Sequence, residues 1–253
     1  MRILVAVLFV GMITINALAN ILPIGGVTTG GISDAYPNLF APTALTFSIW
    51  GLIYLLLGIY TVYQISLSRK NKEKDKLCGK ITPYFAVSSI ANILWILSWH
   101  YKLMGISVVL IAVILVCLIK IADILRGERF STVERFLIKA PFSIYFGWIT
   151  VATIANITTF LVSISWNGFG ISNDIWTVIA LLVGTAIGVW RMLKDKDFIY
   201  GLVLIWAYIG IYIKHTSASG FAGEYYSVIV AVISCIAVFL LAELFMLYRS
   251  KAR

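Results

Sequence analysis

What this sequence has least of is charge. Asp, Glu, Lys and Arg make up 12% of its 253 residues, about half the share found in an ordinary soluble domain. That leaves too few polar groups to cover a globule in water. Two histidines, His100 and His215, stand far apart, and the three cysteines, Cys78, Cys117 and Cys235, have neither metal-ligand nor redox spacing. Neither a metal site nor a disulfide framework is therefore expected. A phosphate loop, a Gly-x-Ser-x-Gly elbow and a metalloprotease His/Glu pair are missing from the sequence as well. No catalytic residue is assigned, and the chain reads as a non-enzyme.

What is present in excess is apolar sequence. Hydrophobic residues account for 61% of the chain, in runs of about 20 residues that are long enough to cross a hydrocarbon core. The runs do not alternate polar with apolar residues, which excludes a barrel and leaves an all-α polytopic membrane helix bundle. Hydropathy places about eight spans near residues 3–23, 44–67, 82–100, 103–125, 138–163, 175–193, 197–214 and 226–248. Cys78 then falls in a basic loop, and the lysine-rich stretch 69–76 reads as a solvated turn.

The net charge of +9 points to topology and not to nucleic acid, because the basic residues sit between the apolar runs. One alternate set of loops and termini holds 18 Lys and Arg residues, including Arg2, Arg69, Lys70, Arg126, Arg129, Lys194, Arg249 and Arg253; the other holds Lys102 and Lys214. Positive residues stay on the cytoplasmic side, so both termini are expected there. A cleaved signal peptide ending at Ala17-Leu18-Ala19 is a rival reading of the first span. The apolar run continues past that site to Ile24 and carries Asn16 and Asn20, which favours an uncleaved helix.

Polar and aromatic residues inside the spans are the informative ones, because hydrocarbon penalises unsatisfied polar atoms. Phe47, Trp50, Tyr54 and Gly58 are spaced three, four and four apart, which keeps them within roughly 80° of one helix face. Tyr145, Trp148, Ala152 and Asn156 repeat that spacing, Ser88, Asn92, Trp95 and Trp99 follow the same ridge, and Asn16 and Asn20 mark the first helix. The candidate ligand-binding residues are Phe47, Trp50, Tyr54, Asn92, Trp95, Tyr145, Trp148 and Asn156, lining an apolar cavity in the outer half of the bundle. The 20-residue outer loop 24–43 is its candidate lid, through Thr28, Thr29, Asp34, Tyr36 and Pro42. Trp99, Trp166 and Trp176 lie near helix ends and read as an interfacial belt. His100 reads as an exposed rim residue, and Asp123, Lys120 and Glu243 as groups snorkelling to the interface. Gly184 and Gly188 offer a close-packing face; their partner, in this chain or in a second copy, stays open.

The same residues carry a family likeness. Pro42, Phe47, Trp50, Tyr54 and Gly58 resemble the second-helix signature of the TspO/MBR family of tryptophan-rich sensory proteins, with Phe47 one residue closer to the Trp than usual. Asn92-Ile-Leu-Trp95 is similar to the third-helix Asn-x-x-Trp-Ser, with Ile96 in place of Ser. Trp148, Ala152, Thr153 and Asn156 match the fifth-helix Trp-x-x-x-Ala-Thr-x-x-Asn spacing. The likeness covers residues 1–163, a five-helix unit, and leaves 164–253 as three additional spans with a basic tail, the longer branch of the family.

The resemblance implies a binding, sensory or carrier protein for tetrapyrroles such as protoporphyrin or haem, or for sterol-like molecules, in a bacterial or archaeal plasma membrane. No cofactor is required by this reading; a tetrapyrrole would be the ligand. Membrane lipid and an apolar small molecule are the expected partners, nucleic acid is not, and a homodimer is admitted. The alternative is a secondary transporter, which normally needs buried charge; an enzyme of porphyrin breakdown is conceivable from the resemblance alone.

Overall fold

The structure, a computed structural model, describes residues 2–22, 24–66 and 71–251. Pro23 and Leu67, the last residues of the first two expected spans, and Arg69, Lys70 and Arg253 of the charge pattern, lie outside them. All regular elements among the described residues are helical, and eight helices are long and apolar enough to cross a membrane. Each span leaves large apolar side chains exposed, Leu52, Val109, Leu182 and Leu241 among them. With lipid as solvent such exposure carries no penalty, and helices form because backbone polar groups have no other partner there.

Two compact units make up the chain: Met1–Ile32 with Ile49–Ile149, and Ser33–Ser48 with Thr150–Arg253. Residues 163 and 164, where the sequence suggested a seam, both lie in the second unit.

The first unit contains α1 (Arg2–Ile21), a short helix α2 (Thr29–Asp34) up to Ile32, α3 (Ile49–Ser66), α4 (Lys72–His100), α5 (Met104–Leu125) and a brief α6 (Thr132–Glu134). A π-helical turn, Arg135–Lys139, joins α6 to α7 (Ala140–Ser163), whose first ten residues belong here. α4 packs against both α1 and α5.

α4 begins ten residues earlier than hydropathy suggested, and charge explains why. Asn71 accepts hydrogen bonds from the backbone N–H of Glu73 and Lys74, at 3.0 and 3.3 Å, and Glu73 and Asp75 occupy the positive first turn. The expected solvated turn is thus helical from Lys72. Lys74 is 8% exposed, donates to the Arg129 carbonyl at 2.7 Å and lies 3.6 Å from Glu134. Cys78 is buried inside this helix, not in a loop. α6 starts with a reciprocal cap: Glu134 N–H donates to Ser131 Oγ at 3.2 Å, and Ser131 N–H to the Glu134 carboxylate at 2.9 Å.

The second unit contains a 3-10 turn (Ala44–Ser48), the second half of α7, α8 (Asn173–Asp195), α9 (Phe198–Thr216) and α10 (Tyr226–Lys251). Gly184 and Gly188 of α8 meet helices of this same chain. A Cβ on Gly188 would lie 2.5 Å from Leu204 of α9 and 2.9 Å from Phe239 of α10; one on Gly184 would lie 2.7 Å from the Tyr208 hydroxyl. Residues 33–48 are bound along α9 by four polar ties. These are Lys214 Nζ to Asp34 at 2.8 Å, His215 Nε2 to the Leu39 carbonyl at 2.8 Å, Thr43 N–H to the Gly210 carbonyl at 3.3 Å, and Trp206 Nε1 to the Thr46 carbonyl at 3.2 Å.

Candidate functional site

In the first unit the +3/+4 ridges converge on Trp50, in the first turn of α3. Its ring centroid lies 5.4 Å from Tyr54, 5.9 Å from Trp95, 5.9 Å from Tyr145 and 6.3 Å from Trp148. The Tyr54 ring is stacked on it; those of Tyr145 and Trp148 present edges, the arrangement that ring quadrupoles favour. Tyr145, Trp148 and Trp95 are buried, whereas Trp50 and Tyr54 are half-buried. Six of the candidate residues, these five and Asn92, are therefore brought together on α3, α4 and α7.

Amide groups knit the same place. Asn16 of α1 donates to Met12 O at 2.9 Å and to Asn92 Oδ1 at 2.7 Å, and Asn92 Nδ2 donates to the Tyr145 hydroxyl at 3.2 Å. Asn20 continues the ladder, donating to Asn16 O at 2.9 Å and accepting from Thr29 N–H at 3.2 Å. Buried amides without water need such partners, and here they find them across three helices.

The ladder ends at a closed rim. Trp99 is 4% exposed, donates to the Thr29 carbonyl at 3.1 Å and stacks on Trp95 with centroids 5.9 Å apart. It is packed into the aromatic cluster, where the sequence suggested an interfacial belt. His100, expected on an exposed rim, is 5% exposed, with Nδ1 3.0 Å from the Ile24 carbonyl and Nε2 3.2 Å from Thr29 Oγ1. A carbonyl only accepts, so Nδ1 donates in the contact with Ile24, while a hydroxyl can either give or take the hydrogen bond at Nε2. The signal that would have located both residues is the return of Thr29, which no helical periodicity encodes.

Of the lid candidates, Thr28 and Thr29 belong to this first unit; Thr28 is exposed and Thr29 buried. Asp34, Tyr36 and Pro42 belong to the second unit, with Phe47 and Asn156. Asp34 is exposed and paired with Lys214, Pro42 is buried, Tyr36 and Phe47 are half-buried, and Asn156 is 2% exposed.

The second unit also buries charge that sequence reading passed over. Arg191 Nε lies 2.5 Å from Asp195 Oδ2, with side chains 4% and 6% exposed. Asp197 caps α9 by accepting from Tyr200 N–H at 3.2 Å, and Tyr200 donates to Thr150 Oγ1 at 3.1 Å. Glu243, expected to snorkel to the interface, is 7% exposed. Trp166 and Trp176 pair with centroids 5.1 Å apart.

Eight helices long and apolar enough to cross a membrane, among the described residues, define a multi-pass integral membrane protein. A family model described as TSPO-like protein matches residues 2–245, and the chain belongs to that family. The match extends through the last three spans, beyond the 1–163 that carry the motifs. No curated protein and no solved structure matches the sequence.

Proposed function

We propose that this protein binds a planar apolar molecule of the tetrapyrrole or sterol class, as a membrane sensor or carrier, with Trp50 as the central contact. The observation that carries this reading is the meeting of four aromatic rings around Trp50, itself only half-buried. A planar ligand entering there exchanges ring-to-ring contacts for a larger stacked face, and the Asn92 amide supplies one orienting polar group. Mostly apolar walls with a few fixed polar atoms are the usual make-up of a small-molecule site. The family membership supports a ligand-binding role, and binding needs no catalytic group. Of the lid residues, Thr29 has the strongest support, since it already ties Trp99, His100 and Asn20 together.

Spectral titration with protoporphyrin IX tests the reading. Binding shifts the porphyrin absorption bands and quenches tryptophan fluorescence; the paired substitutions Trp50→Phe and Trp148→Phe are expected to weaken it by about tenfold through lost ring contact. Unchanged affinity in that variant would sink the proposal.

A secondary transporter is the second reading, and the buried Arg191, Asp195, Asp197 and Glu243 favour it. Charge is retained inside membrane proteins where ions or protons are handled. Absence of any porphyrin spectral shift, together with gradient-driven solute uptake into vesicles that Glu243→Gln abolishes, would put transport ahead.

A further inference from the structure

The second unit holds an open cavity of about 540 Å³, lined by residues 37–40, the end of α7, the start of α8 and the turn before α10. Its lining includes the aliphatic Ile154, Leu161 and Ala180 and the aromatic Trp166, Trp176, Phe221 and Tyr225. None of these residues belongs to the Trp50 cluster.

The walls are held by bonds that do not need an occupant. Trp176 Nε1 donates to the Gly168 carbonyl at 2.9 Å, and Asn38 Oδ1 accepts from Ala41 N–H at 2.9 Å and Thr158 Oγ1 at 3.2 Å. Phe221 and Tyr225 meet edge-on at 5.4 Å, and both pack on His215, which is fixed to the Leu39 carbonyl. A site of this size with fixed walls is pre-formed for a drug-sized ligand.

Its rim is acidic in a protein of net charge +9. The Tyr225 hydroxyl is pushed above the usual tyrosine range by burial, by a hydrogen bond to Glu224 and by the charges of Glu224 and Asp174. Glu224 directly precedes the lining residue Tyr225, and Asp174 directly follows the lining residue Asn173, so both carboxylates are carried at the cavity's edge. Asp174 accepts from Ser227 Oγ at 3.0 Å, Glu224 is exposed, and the neighbouring Lys214 is committed to Asp34. Aromatic rings and carboxylates both attract positive charge, while the aliphatic lining residues disfavour a small hydrated ion.

We propose that this cavity binds a planar aromatic cation, with its rings against the Trp166–Trp176 and Phe221–Tyr225 faces and its positive end toward Glu224 and Asp174. Three acridines of one shape and different charge test this on the full chain in an uncharged detergent, by equilibrium dialysis against detergent alone. 9-Aminoacridine is a cation at neutral pH, acridine is neutral, and acridine-9-carboxylate is an anion. Saturable binding of the cation is expected, with acridine about tenfold weaker and the anion not retained. Substituting Asp174→Asn with Glu224→Gln is expected to weaken 9-aminoacridine about fivefold and leave acridine unchanged, because those carboxylates are at the solvent edge. Ala180→Phe fills the space and should abolish binding of both. Equal affinity for the three acridines overturns the proposal. So does a cation affinity untouched by the rim substitutions, which decide the matter if Ala180→Phe fails to fold. Loss of 9-aminoacridine binding in the Trp50→Phe, Trp148→Phe variant, with the rim variant unaffected, would overturn it too, and would leave the porphyrin reading standing.

Discussion

Asn92 is the residue at which α1, α4 and α7 meet through hydrogen bonds. Replacing it by Ala leaves the Tyr145 hydroxyl and one Asn16 donor without that partner in a dry interior. The expected cost is about 1–2 kcal/mol, toward the upper end for membrane helix pairs. It should register as a lowered thermal midpoint in detergent, and Asn16→Ala combined with Asn92→Ala should cost less than the sum of the two; strict additivity would mean the amides do not act together. These residues were legible in the sequence because an amide or a Trp at helical spacing in an apolar run is conspicuous. Trp99, His100 and Glu243 were misread because their burial depends on segments distant along the chain. Thr29 lies 70 residues from Trp99 and in no periodic pattern, and the packing around Glu243 belongs to tertiary structure.

At the scale of the element, the helices themselves were readable from apolar length, but their polar ends were not. Lys72 to Lys80 looked like a loop because hydropathy registers only the apolar stretch, while Asn71, Glu73 and Asp75 supply a cap and first-turn charges that extend α4. Gly184 and Gly188 could be recognised as a close-packing stripe; which helices they met could not. Gly188→Ala is expected to destabilise by about 1–3 kcal/mol, since its methyl group would press on Leu204 and Phe239. Gly79→Ala in α4 is the matched control: a methyl there meets nothing within 4 Å, so the helix preference for alanine should stabilise by about 0.5–1 kcal/mol. Thermal midpoints of the two variants moving in the same direction would contradict this account.

For the whole molecule, family membership extends over residues 2–245, so the last three spans are part of what makes this chain a TSPO-like protein. The motifs alone stopped at residue 163 because their Trp, Tyr and Asn residues lie in the first five spans. The loop-charge asymmetry makes a prediction about orientation. A cysteine at Ala218 should react with a membrane-impermeant maleimide added to intact cells, and one at Glu128 only after the membrane is opened. Both positions are exposed, and the native Cys78, Cys117 and Cys235 are buried and should stay silent. The opposite pattern would invert the topology. The π-helical turn ahead of α7, in which Ala140 N–H reaches back to the Arg135 carbonyl, bears on how this chain tolerates changes in its length. Such a turn holds one residue more than an α-helical turn. Losing that residue tightens the turn to α-helix and leaves the Ser131–Glu134 cap on one side, and Tyr145 and Trp148 on the other, in regular register. The same deletion inside α7 would swing every later side chain by about 100°. Relatives that differ in length by a single residue can therefore vary between Ser131 and Ala140 while presenting the same aromatic face.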